Sequence, residues 1–92
     1  VGLTYSASKI EEVELWLSSQ QAPYIKTLPL HHSQTILKED KQGMTIRLKV
    51  RLNFELTQKI LSLGPNAKVL KPKVLVDEIA DTIEEMKDLY SS

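Results

Sequence analysis

The alternation of apolar and polar residues is clearest in two segments of the chain. In residues 11–18, the positions Val13, Leu15 and Leu17 are aliphatic, and the positions between them are polar or aromatic. Residues 44–52 repeat the pattern, with a methionine or an aliphatic side chain at every even position. A period of two is expected of a β-strand that buries one face. The pattern therefore predicts strand 1 over residues 11–18 and strand 3 over residues 44–52.

Two shorter segments complete the predicted sheet. The polar loop 40–43, which contains Gly43, has the length that joins the two strands of a hairpin, so residues 34–39 are predicted to form strand 2 beside strand 3. Residues 67–70 are predicted to form a short strand 4 that ends before Pro72.

Residues 20–28 are predicted to form the first helix. Ser18 or Ser19 can cap its start, Pro23 suits an early helical position, and Pro29 stops it.

Two further helices follow. The second is predicted over residues 54–63, because Asn53 is a favourable N-cap and Gly64 followed by Pro65 is typical of a helix end. The third is predicted over residues 74–90, where the apolar residues form a single stripe. The stripe consists of Val76, Ile79, Ile83, Met86 and Tyr90.

The order of elements predicts an α+β fold. Two split strand-helix-strand units with right-handed crossovers close into a four-stranded antiparallel sheet of order 4-1-3-2, covered on one face by helices 1 and 2. This is a ferredoxin-like βαββαβ sandwich with an extra C-terminal helix. Residues 11–92 are predicted to form this single domain. Because the chain begins at Val1, residues 1–10 are expected to be a linker from an upstream module.

The composition excludes several classes of protein. A chain of 92 residues builds one core. The absence of cysteine excludes thiolate metal sites, a cysteine nucleophile and disulfides. Neither an apolar run of membrane-spanning length nor a signal peptide is present, so a cytoplasmic location without membrane contact is expected.

The charges balance overall but are unevenly distributed. Twelve basic and twelve acidic residues argue against a dedicated nucleic-acid arm. Residues 38–73 nevertheless have nine basic and three acidic side chains, whereas residues 74–92 have one lysine and six acidic side chains. An acidic final helix can therefore remain solvated, or it can pair with the basic third strand within one chain or, through a swapped helix, between two copies.

Three stretches of the sequence carry a family resemblance. Residues 22–34 read APYIKTLPLHHSQ, residues 55–56 and 60–72 include ILSLGPNAKVLKP, and the last helix ends at Tyr90. With these motifs at these spacings, residues 1–90 resemble the C-terminal extension, or WCX domain, of bacterial WYL-domain transcriptional regulators.

The resemblance implies a domain of a larger, dimeric and cytoplasmic regulator. Such a chain has a winged helix-turn-helix and a WYL module upstream, and these would bind the DNA, since this sequence has neither a recognition helix nor the Trp-Tyr-Leu tripeptide. The extension is then expected to serve regulation and dimerisation as a homodimer. It can also border a site for a nucleotide or nucleic-acid effector.

The outer face of strand 3 is the main candidate binding surface. Arg47, Lys49 and Arg51 point the same way, and Trp16 on the neighbouring strand offers a stacking ring for a nucleic acid or nucleotide.

Three other interpretations of this face remain open. Glu12 and Glu14 of strand 1 point to the same side and can form ion pairs with the basic residues. The face can serve as a protein interface, or the final helix can lie over it and bury Trp16.

The residues before strand 2 form a second candidate site, with His31 and Gln34 as its members. His31 and His32 are adjacent, so on an extended chain they point apart, and no metal site is expected. We expect His31 to fix the loop by hydrogen bonding with a neutral ring, helped by Ser33 and Gln34. No enzyme activity, catalytic residue or cofactor is expected, because no nucleophile motif occurs.

Tyr24, Ile25 and Tyr90 are predicted to lie in the core or at its edge. The leading interpretation is a non-enzymatic regulatory and dimerisation domain of a WYL-family regulator. The alternative is a self-contained ligand-binding or oligomerisation module.

Overall fold

The chain forms strands and helices in the predicted order. The computed structural model of the protein describes residues 9–91 and contains four strands and three α-helices. A turn of 3-10 helix, Gly64–Asn66, precedes the fourth strand. The elements are β1 (Ile10–Ser18), α1 (Ala22–Thr27), β2 (Thr35–Glu39), β3 (Gly43–Arg51), α2 (Phe54–Ser62), β4 (Ala67–Lys71) and α3 (Lys73–Tyr90).

The four strands form one antiparallel sheet of order β2-β3-β1-β4. Counted from the opposite edge, this order has the same neighbours as the predicted 4-1-3-2. The mixed α/β arrangement is compatible with a ferredoxin-like fold. In the predicted linker, residues 1–8 lie outside the described residues, and Ile10 is already the first residue of β1.

The core lies on one face of the sheet. The register pairs Val13 with Leu48 and Leu15 with Ile46, and all four side chains have no exposed surface. This burial follows from the alternation, because partners in an antiparallel ladder point to the same side. The helices contribute further buried residues to this cluster, namely Ala22, Ile25, Ile60, Leu75 and Ile79.

The third helix packs on the core face. Its residue Ile79 lines a groove together with Ile60 of α2 and Val69 of β4, and Val69 pairs with Leu15 in the sheet. The interpretation in which the final helix covers Trp16 is therefore wrong. Covering the outer face would have removed many charged side chains from water, which is costly, whereas the core face offered apolar surface.

The first helix is shorter than the predicted 20–28. It spans Ala22–Thr27 after Gln21, which makes no side-chain cap. The predicted cap Ser18 lies outside the helix: its Oγ accepts the Gln21 N–H at 3.2 Å and donates to Asn66 Oδ1 at 2.9 Å. Ser18 therefore stabilises the turn after β1.

The predicted boundaries of α2 are confirmed to within one residue. Asn53 Oδ1 accepts the backbone N–H of Leu56 at 2.9 Å. At the other end, Gly64 has φ of 60°, a left-handed conformation that glycine adopts without strain.

Two predicted core residues are on the surface. Ile25 is buried as expected, but Tyr24 and Tyr90 are largely exposed. Tyr24 lies on the outer side of the short helix α1, and Tyr90 lies on the last turn of α3, beyond the buried Leu75 and Ile79. Among the described residues, no helix combines the length and the apolar composition that crossing a membrane requires.

Candidate functional site

The face of the sheet opposite the core is rich in lysine and arginine. Trp16 and Lys68 are direct neighbours across β1 and β4, and the odd-numbered residues of β3 point to the same side. We call this surface the basic face. It comprises Trp16, Arg47, Lys49, Arg51 and Lys68.

Gly43 leaves room for the ring of Trp16 at one end of the basic face. A Cβ atom at Gly43 would lie 2.6 Å from the indole Nε1 and 2.8 Å from Cε2 of Trp16, so the ring occupies the space that any other residue would fill. The sequence identified Gly43 only as a loop glycine. Its contact with the ring depends on the pairing of β1 with β3, which the local pattern does not reveal.

The predicted ion pairs of the basic face form, with a different partner for one of them. Arg47 Nη1 lies 3.5 Å from Glu12 Oε2, between β3 and β1. Glu14 instead pairs with Lys71 of β4, with a distance of 3.3 Å between Oε2 and Nζ. Each pair is partly exposed, and such pairs contribute well under about 1 kcal/mol. The two glutamates neutralise only part of the positive charge.

Two lysines of the basic face remain available to an anion. Lys49 of β3 and Lys68 of β4 are both exposed. Within residues 9–91, Lys49 and Lys68 form no ion pair with a carboxylate. Their ammonium groups can therefore approach a phosphate or a carboxylate of a partner.

The hydroxyl group of Ser33 binds the backbone of β3 at Lys49, where β2 no longer pairs with this strand. Strand β2 pairs with β3 only as far as Arg47. One step further, Ser33 Oγ accepts the Lys49 N–H at 2.9 Å and lies 3.3 Å from the Lys49 carbonyl oxygen. The side chain of Ser33 thus takes the place of a strand at this position.

His31 positions this serine. Its Nδ1 accepts the backbone N–H of Ser33 at 3.1 Å and lies 2.7 Å from Ser33 Oγ. The prediction that His31 fixes the loop before β2 by hydrogen bonding is confirmed. A ring nitrogen that accepts a backbone N–H is unprotonated, so this geometry favours the neutral ring.

The protonation of His31 is further disfavoured by its surroundings. Burial lowers the pKa of His31 below its ordinary value of 6.5, and the neighbouring charge of His32 lowers this pKa in addition. The expectation that His31 and His32 point apart is wrong, because residues 31–33 form a turn and not an extended segment, and the centroids of the two rings lie 4.1 Å apart. The loop is therefore built around an uncharged imidazole at neutral pH.

Gln34 joins the same loop to the end of α1. Its Oε1 accepts the Leu30 N–H at 3.0 Å, and its Nε2 donates to the Ile25 carbonyl oxygen at 3.1 Å. Both ends of the side chain are thus bound to backbone, which gives Gln34 a structural role.

An open depression of about 970 Å³ lies where β3 ends and α2 begins. Three predicted site residues line it, namely His31, Lys49 and Arg51, whereas Arg47, Trp16 and Gln34 lie elsewhere. Phe54 and Lys59 of α2 also line the depression, and Phe54 is 73% exposed.

The sequence did not identify Phe54 and Lys59 as site residues. A phenylalanine at the start of a helix looks like a core residue, and only the direction of α2 places it in solvent. Cations beside an exposed aromatic ring can bind an anionic group and stack a planar one. Within residues 9–91, no group of three or more histidine, aspartate or glutamate side chains is arranged to hold a metal ion.

Comparison with known proteins gives the family. The family model described as the WCX domain matches residues 9–87, which is most of the chain. No curated protein is similar enough to count as a match. The matched range includes all four strands, nearly all of α3, and residues 31–34 before β2, which we call the histidine loop. This chain therefore belongs to the WCX domain family.

Proposed function

We propose that this chain is a non-enzymatic regulatory and dimerisation domain of a cytoplasmic WYL-type transcriptional regulator. In this proposal, modules upstream in the same polypeptide bind the DNA, and this domain contributes to the response to an effector. The observation that carries the proposal is the WCX match over residues 9–87.

The charge of the basic face supports an anionic effector, either a nucleotide or a nucleic acid. Lys49, Arg51 and Lys68 are exposed on one side of the sheet, and Trp16 offers part of an aromatic ring there. Basic side chains around an aromatic ring are the usual means of holding a single strand, because phosphates take the charges and bases stack.

The test uses a short fluorescein-labelled oligothymidylate and its fluorescence anisotropy with the purified chain. Replacing Arg47, Lys49 and Arg51 by glutamine is expected to weaken binding by at least about tenfold, and binding to the unchanged chain should fall steeply with salt. The control replaces three lysines outside the basic face by glutamine, which removes the same charge. These lysines are Lys26, Lys73 and Lys87.

Equal weakening by the two triple variants would show that only net charge matters, and the effector part of the proposal would fail. An unchanged chain that does not bind the oligonucleotide would contradict a nucleic-acid effector at this face. In the whole regulator, the basic-face variant is expected to lose the effector response while keeping its fold, which circular dichroism would verify.

A self-contained ligand-binding module is the second candidate, and the depression beside Phe54 favours it. In that case the isolated chain should bind adenosine monophosphate saturably in calorimetry. Phe54→Ala should then weaken binding, and Tyr24→Ala, at an equally exposed aromatic residue on α1, should not.

A further inference from the structure

The hydrogen bonds of the histidine loop form a relay that ends on the backbone of β3. The Lys49 N–H donates to Ser33 Oγ at 2.9 Å, and this oxygen lies 2.7 Å from His31 Nδ1. The Ser33 N–H donates to the same ring nitrogen at 3.1 Å. Because Nδ1 is an acceptor here, the single proton of the neutral ring is on Nε2. One unprotonated nitrogen therefore binds both the backbone N–H and the hydroxyl group of Ser33.

A proton added to His31 Nδ1 disrupts this arrangement. The protonated nitrogen can only donate, so the Ser33 N–H loses its acceptor and faces another donor. The Ser33 hydroxyl can turn its hydrogen to the Lys49 carbonyl oxygen, which lies 3.3 Å away. The backbone N–H of Ser33 has no such alternative, so the imidazolium ring must turn away from it. Protonation thus releases His31 from Ser33, while Ser33 can stay bound to Lys49.

The position of His31 at the depression between β3 and α2 connects this relay to a ligand. The charged and titratable residues that line the depression with His31 are His32, Lys49, Arg51, Glu55 and Lys59. Three of these side chains are permanently positive and only Glu55 is negative, so a further positive charge on His31 is repelled. Burial lowers the pKa of His31, and the charge of His32 lowers it further. An anion in the depression would offset the positive charges and favour the protonated ring.

We propose that the depression is a proton-linked anion site, in which His31 becomes protonated when a doubly charged oxyanion, such as the phosphate group of an effector, binds. Linkage makes the effect reciprocal: the factor by which the anion favours protonated His31 is the factor by which protonation favours the anion. Anion binding therefore strengthens as the pH falls. This inference rests on the anionic effector of the proposed function and adds the regulation of its binding by pH.

Inorganic sulfate is the probe for this linkage. It stays doubly charged between about pH 5.5 and about pH 7.5, where a phosphate group itself takes up a proton. The chain has two histidines, so His32→Gln leaves His31 as its only histidine. In this variant, sulfate should bind at least about twofold more tightly at about pH 5.5 than at about pH 7.5, as expected for one added charge at a partly exposed site. Amide chemical shifts at constant ionic strength give the two dissociation constants.

The matched control is the double variant with His31→Gln and His32→Gln, whose sulfate affinity should not change over this range. A second measurement on His32→Gln follows the relay itself. The amide signal of Ser33 should shift with the same midpoint pH as the imidazole signals of His31, because this N–H donates to Nδ1. Sulfate should move both midpoints to higher pH. A histidine that serves only to fix the loop would show no such response to sulfate.

The outcomes separate the proton link from the anion site. Equal sulfate affinity at the two pH values in His32→Gln would overturn the link and retain the depression as an anion site. A pH dependence that persists in the double variant would assign it to another group and would also overturn the link. If the double variant does not fold, midpoints that sulfate leaves unchanged in His32→Gln would overturn it. An absence of sulfate binding at both pH values would overturn the anion site in the depression, and oligonucleotide binding would still judge the basic face.

Discussion

The two faces of the sheet are formed by the same strands but differ in burial and in charge. On the core face, Leu15 and Leu48 are fully buried, and their burial contributes to the free energy of folding. On the basic face, Trp16 is partly exposed and Lys49 is exposed, although each lies only one residue further along its strand. Stability therefore depends mainly on one face, and the other can carry binding residues at little cost to the fold.

This difference shows why the helices do not share both faces. All three α-helices contribute buried side chains to the core or line the groove beside it, and the basic face retains its charges. A surface that had to be buried for stability could not also exchange a ligand or a partner. Substitutions that compare the two faces directly can test this separation.

The largest contrast is expected between neighbours in β3. Leu48→Ala leaves a cavity in the core and should lower the free energy of unfolding by about 2 to 5 kcal/mol. Lys49→Ala, one residue away on the basic face, should change it by less than about 0.5 kcal/mol. Urea denaturation measures both. Similar losses for the two variants would show that the basic face is part of the stabilising structure.

A smaller loss is expected at the glycine that links the two faces. Gly43→Ala places a methyl group against the Trp16 ring and the Leu17 carbonyl oxygen, and should cost about 1 to 3 kcal/mol. Gly64→Ala is the control, because its Cβ meets no atom within 4 Å and only the positive φ is strained. We expect about 1 kcal/mol there. Equal stability of Gly43→Ala and the unchanged chain would contradict the close approach of Gly43 to the Leu17 carbonyl oxygen and the Trp16 ring.

The two faces also differ in how far the sequence predicts them. The alternation in β1 and β3 identifies the buried set because one face of a strand must lose its water. The same alternation predicts that Arg47 and Glu12 share a face, and their ion pair confirms it. It does not specify which carboxylate pairs with which cation, so Lys71 was missed as the partner of Glu14.

Features that depend on tertiary packing were less predictable. Tyr90 continues the apolar stripe of α3, so the sequence predicts that it is buried. It is exposed because the last buried residue of α3 is Ile79, three turns earlier. The partnership of Ser33 with Lys49 likewise depends on β2 ending before it. The loop-fixing hydrogen bonds of His31 were predicted correctly because their partner, Ser33, is close in sequence, and such local contacts leave a signal in the chain itself.

The lowered pKa of His31, at the edge of the sheet, predicts that the free energy of unfolding depends on pH. Since the pKa of His31 in the folded chain is lowered below 6.5, the unfolded chain binds more protons between the two values. The free energy of unfolding should therefore be constant above about pH 6.5 and fall as the pH decreases through this window. Below the folded pKa it should show no further change from this group.

Urea denaturation of the unchanged chain and of His31→Gln, from about pH 7.5 to about pH 5.5, measures this dependence. The difference between the two chains should shrink toward the acidic end. His32→Gln should keep most of the dependence, because burial is the larger cause of the lowered pKa and the charge of His32 the smaller one. A His31→Gln profile parallel to that of the unchanged chain would contradict the neutral, hydrogen-bonded ring.

The smallest effect is expected for the ion pair between Arg47 and Glu12 on the basic face. A double-mutant cycle with Arg47→Gln and Glu12→Gln should give a coupling energy between about 0.2 and 1 kcal/mol, because both side chains are partly exposed and water screens the pair. The coupling should weaken further in about 1 M salt. A coupling above about 2 kcal/mol would mean that Arg47 is committed to the fold and is not available to a ligand. A small coupling energy would mean that the Arg47 guanidinium can leave Glu12 and bind a phosphate instead.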